Sequence, residues 1–373
     1  MKFTINRDYL LSNLTNASRA ISNKPQMPIL TGIQVEASND SVILTTSNSD
    51  LSIQVTLNNL ELVKIFNTGR VVLPGKYFVE IVKRCDVKEI TVMTFEENLI
   101  KILADKSTFT LNELDKSIYP FIDFRDSNTF FYLDGLNLKQ IIKKTAFATS
   151  TSESKMVLTG VNLTTREKKI EATATDSYRL AKKFIISDTD IPTTNSIIPS
   201  KSLDELNKII DNISSIIQIH VSGTKILFKY ENILFQSRLI EGTFPNTSSL
   251  IPVETIMNLK FNKFDLISAV ERTSLFDSND LSSMVKFTIT NDKTIVISSI
   301  TNEIGDAKEI VTPLEFDNII SFETGFSSKY FLDALKSFDS NEVTIHFTGE
   351  VRPFYITGDY DVNHIQLILP VRA

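Results

Sequence analysis

The 373 residues hold one cysteine, 11 glycines and three histidines. A single cysteine, Cys85, excludes an intrachain disulfide framework and agrees with a reducing compartment. Its neighbours Lys83 and Arg84 would favour a thiolate, but its place in a helical pattern reads as structural. Eleven glycines are less than half the usual share of about 7%. With no phosphate-cradling Gly-rich loop and no GxxxxGK[ST], a nucleotide hydrolase is excluded. His220, His346 and His364 stand apart, and no Cys or His pair has zinc spacing. The nearest thing to a metal cluster is Asp359, Asp361 and His364, but Gly358-Asp359-Tyr360-Asp361 reads as a polar turn. Glu96-Glu97 before Asn98 likewise reads as a hairpin turn rather than an acid–base pair. No metal, no cofactor and no catalytic residue is therefore expected. No apolar run approaches the roughly 20 residues that cross a bilayer. The opening Met1-Lys2-Phe3-Thr4-Ile5-Asn6 alternates like a strand rather than a signal peptide, so a cytoplasmic protein is expected.

What is present is a repeat. Three segments open alike: Phe3 to Leu11, Phe131 to Lys139 and Leu259 to Ile267 are each a short alternating strand, an Asn or Asp, then an amphipathic helix. Leu10, Leu138 and Leu266 recur at a spacing of 128, and Leu14, Ile142 and Val270 keep that register. A second helix recurs in each third, running from Pro74 to Lys83, Pro199 to Lys208 and Ser327 to Lys336, with ends marked by Asp86, Asp211 and Asp339. Val-, Ile- and Thr-rich strands fill the intervals. The pattern predicts an α+β protein of three similar domains, 1–126, 127–255 and 256–373. Its joints, near Asp126 and Ile256, lack Gly or Pro, so the domains should abut rather than swing.

A formal net charge of −6 argues against nucleic acid until the positions of the lysines are considered. In all three second helices lysines recur seven apart: Lys76 and Lys83, Lys201 and Lys208, Lys329 and Lys336. Seven residues come within about 20° of two full turns, so each pair shares a face, opposite the apolar stripe. The first helix of the middle repeat adds Lys139, Lys143 and Lys144, and that of the third adds Lys263 and Arg272. One such face is ordinarily just solvated. Three homologous ones, turned to a common side, would form a basic band that grips phosphates without reading bases.

Five separated motifs then resemble one family, in order and at the expected length. They are Met1-Lys2-Phe3-Thr4-Ile5, Lys24-Pro25-Gln26-Met27-Pro28-Ile29-Leu30, Ala174-Thr175-Asp176-Ser177-Tyr178-Arg179-Leu180-Ala181, Glu241-Gly242-Thr243-Phe244-Pro245 and Leu369-Pro370-Val371-Arg372. The chain is similar to the bacterial DNA sliding clamp, the β subunit of DNA polymerase III. The resemblance implies a head-to-tail homodimer, a six-domain ring with helices lining a central hole and antiparallel sheets outside. It implies a processivity factor that encircles duplex DNA, sequence-independently, without chemistry of its own. The implied partners are the polymerase III α subunit, the clamp loader, and other polymerases and repair proteins that bind through short peptides.

By position, the resemblance places Lys24, Lys76, Lys83, Lys139, Lys143, Lys201, Lys208, Lys329 and Lys336 towards DNA. It places Phe109 and Leu111 on one face of the dimer interface and Leu275 and Phe276 on the other. It assembles a client-peptide pocket from Leu158, Thr175, Tyr178, Arg179, Leu180, Pro245, Leu250, Phe354, Ile368, Leu369, Pro370, Val371 and Arg372. Several of these are equally readable as ordinary core. An apolar terminal run is harder to read so, since chain ends fray unless docked. The sequence departs from the family pattern at Ser177-Tyr178 and Ser249, so the preferred client motif can differ. The alternatives are a DNA-binding scaffold that does not close, which measured mass would separate from a dimer, and an enzyme of nucleotide or phosphoester metabolism, which lacks its motif here.

Overall fold

In the first and last thirds a strand runs into a helix across a capping side chain. The computed structural model describes residues 1–22, 27–252, 254–276, 284–290, 294–301, 305–317 and 321–371; the side chains of Phe276, Ile300 and Thr301 lie outside the described residues. Six helices follow in chain order: α1 (Arg7–Ser18), α2 (Gly75–Arg84), α3 (Gly135–Thr145), α4 (Ser200–Ile209), α5 (Lys263–Thr273) and α6 (Ser328–Lys336). Asn6 Oδ1 accepts the Tyr9 amide at 3.0 Å, and Asn262 Oδ1 accepts those of Phe264 and Asp265 at 2.9 and 3.3 Å. Each cap occupies a first-turn amide with no helical partner, which is why the strand ends where it does. Phe78 and Val82 of α2 and Phe331, Ala334 and Leu335 of α6 are buried, at the three-to-four spacing of an amphipathic helix.

By packing, the chain falls into two units, Met1–Leu136 with Asp204–Leu239, and Asn137–Leu203 with Ile240–Ala373. The middle third is thus shared between them, because its strands extend sheets of both neighbours. The first unit holds a five-stranded sheet in the order Val63–Asn67, Lys2–Asn6, Glu89–Phe95, Leu99–Ala104, Ser107–Asn112. It also holds an eight-stranded sheet, in the order Phe130–Asp134, Ile216–Val221, Lys225–Tyr230, Ile233–Arg238, Leu51–Leu57, Val42–Ser47, Gly32–Ala37, Gly69–Pro74. The joint between the first and middle thirds is an antiparallel ladder, with Phe235 opposite Ile53. Glu96 and Asn98, at φ 53° and 63°, make the turn between Glu89–Phe95 and Leu99–Ala104. That is the hairpin their sequence implies.

In the second unit a seven-stranded sheet runs Gly160–Thr175, Arg179–Pro199, His364–Ile368, Phe354–Gly358, Glu342–Phe347, Met257–Asn262, Glu315–Asp317. A four-stranded sheet runs Gly305–Val311, Ile295–Thr301, Met284–Ile289, Phe322–Ser327. The joint between the middle and last thirds is again a ladder, with Ala181 opposite Gln366. Phe287, Phe326, Phe331, Phe347 and Phe354 form an aromatic core with tilted contacts 4.7 to 6.4 Å apart.

Two lysines read as part of the basic faces are instead interior. Lys144 is 2% exposed and its ammonium is bonded to Asp361 and, at 3.0 Å, to Asp339. Lys263 is buried and donates to the Phe338 carbonyl at 2.7 Å. A helix turns 100° between consecutive residues, so Lys144 cannot share the exposed side of Lys143. Asp361 also accepts from the Ser340 amide and hydroxyl, at 2.8 and 2.6 Å. Burial alone would raise its pKa, but Lys144 and Ser340 outweigh burial and hold the carboxyl well below the usual carboxylate range. The turn thus carries a buried ion pair rather than a merely polar surface.

His364 lies beside this pair, and burial, followed by the Lys144 charge, pushes its pKa down to about 3 from 6.5. The unfolded chain therefore binds a proton below about pH 6.5 that the folded chain refuses, so stability is lost as pH falls through that window. The loss is about 2 kcal/mol by pH 5. Denaturant unfolding of the protein and of His364→Asn at pH 7 and 5 should diverge by about that amount; parallel losses would show that another group titrates.

Candidate DNA-facing helices and client groove

Each candidate lysine sits where the apolar stripe of its helix leaves it. Lys76 and Lys83 on α2, Lys143 on α3, Lys201 and Lys208 on α4, and Lys329 and Lys336 on α6 are exposed, while Lys139 is half-buried. Lys24 lies outside the described residues. Three of the exposed set are held by carboxylates: Lys143 by Asp339 at 3.2 Å, Lys208 by Glu205 at 2.7 Å and Lys336 by Glu271 at 2.8 Å. Lys76, Lys83, Lys201 and Lys329 make no ion pair among the described residues. Arg272 on α5 is taken up by Glu309 at 2.8 Å.

Of the candidate groove residues, Thr175, Tyr178 and Arg179 form a tight turn within the second unit. Asp176 Oδ1 accepts the amides of Tyr178 and Arg179 at 2.9 and 3.1 Å, and the Thr175 hydroxyl donates to the Arg179 carbonyl at 2.6 Å. Ser177 takes φ 84°, a left-handed position this side-chain-braced turn imposes. The turn throws Tyr178 outward, 63% exposed, with its ring stacked 6.5 Å from Tyr330. Arg179 points inward. Its guanidinium donates to Asp176 at 2.9 Å, Asp333 at 2.7 Å and the Phe147 carbonyl at 2.7 Å, and lies 4.5 Å over the Tyr330 ring. It acts as a bolt for the turn, with every nitrogen engaged.

The last described residues are docked against this turn. The Leu369 amide donates to the Tyr178 carbonyl at 2.9 Å and that of Val371 to the Gly325 carbonyl at 2.8 Å. Between them Pro370 offers no amide. Leu369, Val371, Leu250 and Pro245 stay open to solvent. Leu158 packs with Ile197 and Phe244 beneath. Three residues placed in the pocket by sequence do not open onto a surface: Leu180, Phe354 and Ile368 are 1% exposed. Phe354 and Ile368 belong to the aromatic core, since they alternate inward on strands that pair with each other. Thr175 is likewise buried in the turn. Arg372 lies outside the described residues. Sequence reasoning missed Tyr330, Asp333 and the exposed Met156, because nothing in α6 marks one aromatic or acid as facing another third.

Elsewhere, a groove of about 900 Å³ in the first unit is lined by Tyr77, Glu80, Ile81, Arg84, Cys85 and Phe109. Burial raises the Cys85 thiol above its ordinary pKa, so Lys83 and Arg84 do not make it a thiolate. Leu111 neighbours Phe109 on the same strand, and both are half-buried against Ile100 and Ile102. Leu275 is 77% exposed. Asp359 is bonded to Lys260 at 2.6 Å, and no group of three or more His, Cys, Asp or Glu among the described residues is placed to hold a metal ion. No described helix is long and apolar enough to cross a membrane.

Three family models match in succession: the N-terminal domain of the DNA polymerase III beta subunit over residues 1–123, the central domain over 132–246 and the C-terminal domain over 248–372. The chain belongs to this family. It is 39% identical over 377 residues to the beta sliding clamp of Staphylococcus epidermidis, and 38% identical to that of Staphylococcus aureus, with 100% of both chains covered. Among solved structures, the Bacillus subtilis DNA polymerase sliding clamp is 37% identical at a TM-score of 0.95, covering 100% of this chain and 99% of its own. The DNA polymerase beta subunit of Streptococcus pyogenes is 32% identical at 0.95, with 100% of both covered. The fold is the three-domain α+β clamp fold, and the chain is an accessory clamp subunit of DNA replication.

Proposed function

We propose that two copies close head to tail into a ring around duplex DNA and tether the replicative polymerase to it, without catalysis. The observation that carries this reading is a pairing made twice and left open once. The fourth strand of the middle third, Ile233–Arg238, pairs with Leu51–Leu57 of the first, and the fourth strand of the last third, His364–Ile368, pairs with Arg179–Lys183 of the middle. The equivalent strand of the first third, Ser107–Asn112, has no neighbour on its outer side among the described residues, and neither has Gly305–Val311, the counterpart of Leu51–Leu57. A third pairing of the same kind has to be made between chains. Two such heterologous contacts close a dimer of three clamp domains per chain, 1–126, 127–255 and 256–373, and cover both edges.

In that ring the lysines on α2, α3, α4 and α6 meet phosphate, and the groove at Tyr178, Leu250, Leu369 and Val371 takes short peptides from the polymerase III α subunit, the clamp loader and repair polymerases. The setting is the cytoplasm, where replication proceeds. Side chains rather than a ladder dominate there, since Pro370 lacks an amide and the Leu369 and Val371 amides are already engaged. Rings loaded on a nicked circle should stay bound and slide off once it is linearised; equal retention on both would sink the topological reading.

A further inference from the structure

We propose that Glu205, Glu271 and Asp339 act as tethered rivals of DNA phosphate, holding Lys208, Lys336 and Lys143 half-neutralised so that the ring grips DNA loosely enough to move. The inference rests on the DNA-encircling reading above and assigns these carboxylates a role within it.

Homologous positions are treated in two ways. The first-turn lysines Lys76, Lys201 and Lys329 carry no ion pair among the described residues. Of the lysines seven residues further on, Lys208 and Lys336 are matched while Lys83 is not among the described residues, and Lys143 on α3 is matched as well, so three lysines meet carboxylates by three unrelated routes. Lys208 is met by Glu205, three residues back on its own helix; Lys336 by Glu271, from α5; and Lys143 by Asp339, from the loop after α6. Glu205 also takes Arg19 at 3.1 Å. Lysine and carboxylate of the last two pairs are about half exposed or more, at 55%/49% and 59%/55%. Exposed pairs contribute little to stability, so folding alone does not explain why different elements each deliver a carboxylate to these lysines, although Asp339 also serves buried Lys144 and Glu205 also takes Arg19.

On DNA the balance changes. Each lysine that neutralises a phosphate releases a counterion and steepens the salt dependence of binding. A lysine already facing a carboxylate must give it up to do so, and the carboxylate then stands near the backbone as a like charge. The unmatched lysines set an attraction without register, and the matched ones shift between carboxylate and phosphate as the duplex passes.

The test uses the full-length dimer carrying Glu205→Gln and Glu271→Gln together. Asp339 is left intact because it also holds buried Lys144. Binding to a short labelled duplex is followed by anisotropy over a range of NaCl, and one-dimensional diffusion of loaded rings by single-molecule tracking. The double variant should bind more tightly, with a log–log salt slope steeper by up to about 0.9 per cation released, and should diffuse more slowly. Glu205→Asp with Glu271→Asp should match the parent. If the Gln variant matches the parent in slope and diffusion while Lys201→Glu with Lys329→Glu flattens the slope, the carboxylates have no such role and DNA encirclement stands. A Gln variant that instead melts well below the parent would mark the pairs as structural and overturn the proposal. If the parent's binding shows no salt dependence and the Lys variants change nothing, the encircling reading falls as well.

Discussion

Lys144→Met is expected to lower the unfolding free energy by about 3–5 kcal/mol, the cost of leaving one member of a buried ion pair without its partner. The abandoned group is Asp361, buried and bonded otherwise, among the described residues, only to Ser340 and the Asp339 amide. Protonation is its only relief, so much of the loss should be recovered at pH values near 4 in Lys144→Met, against the trend of the parent. Replacing both, as Lys144→Met with Asp361→Leu, removes the charge as well as its partner and should cost far less than Lys144→Met alone. Urea unfolding of the three proteins decides the matter: additive losses would mean that the two residues do not act as a pair.

Leu275→Ala combined with Phe109→Ala should convert the dimer to monomer at concentrations where the parent remains dimeric. Large apolar anchors of this kind are worth about 2–5 kcal/mol each when well packed. The repeats themselves suggest the docking. Thr46 donates to the Ala17 carbonyl at 2.5 Å and Ser299 to that of Thr273 at 2.6 Å, so these hydroxyls are counterparts, and so are the residues opposite them, Ile53 and Ala307. Phe235 lies opposite Ile53 within the chain, and Phe109 is the counterpart of Phe235, each facing the matching residue of the strand before it, Ile102 and Phe228. Phe109 should therefore oppose the partner's Ala307. Leu275 corresponds to Arg19, which reaches Glu205 on α4, and so should meet the partner near Glu80 on α2, in the 900 Å³ groove. Sedimentation that shows only dimer for the double variant would place the interface elsewhere. A disulfide between Phe109→Cys and Ala307→Cys across chains would fix the register.

How far such features can be read from sequence depends on their range. The strand–helix openings were legible because each is local: an Asn or Asp, an alternating run before it and a Leu at fixed register after it. The charge of α3 was only half legible. Lys143 and Lys144 are neighbours of the same type, and the Asp361 that draws one of them inward is 217 positions away in the chain. The proposed groove reads from the sequence as a set of apolar residues but not as a surface. Hydrophobicity marks Phe354 and Leu369 alike, whereas the strand pairing that sends one into the core and leaves the other at the rim is tertiary. The sheets that cross from one third to the next left no trace, since no turn residue encodes a pairing between distant strands.

The Lys144–Asp361 bond also sets a clock on biosynthesis. At roughly 5–20 residues per second, the ribosome needs on the order of 10–40 s to travel the 217 residues between them. For most of that interval α3 is outside the ribosome, yet the strand His364–Ile368, whose Gln366 donates to the Lys144 carbonyl, does not exist. A nascent chain can complete the first unit, whose segments end at Leu239, while the second must wait for the closing strand. A message truncated before that strand would yield a protein with one finished half and one open one, its Lys144 still without Asp361.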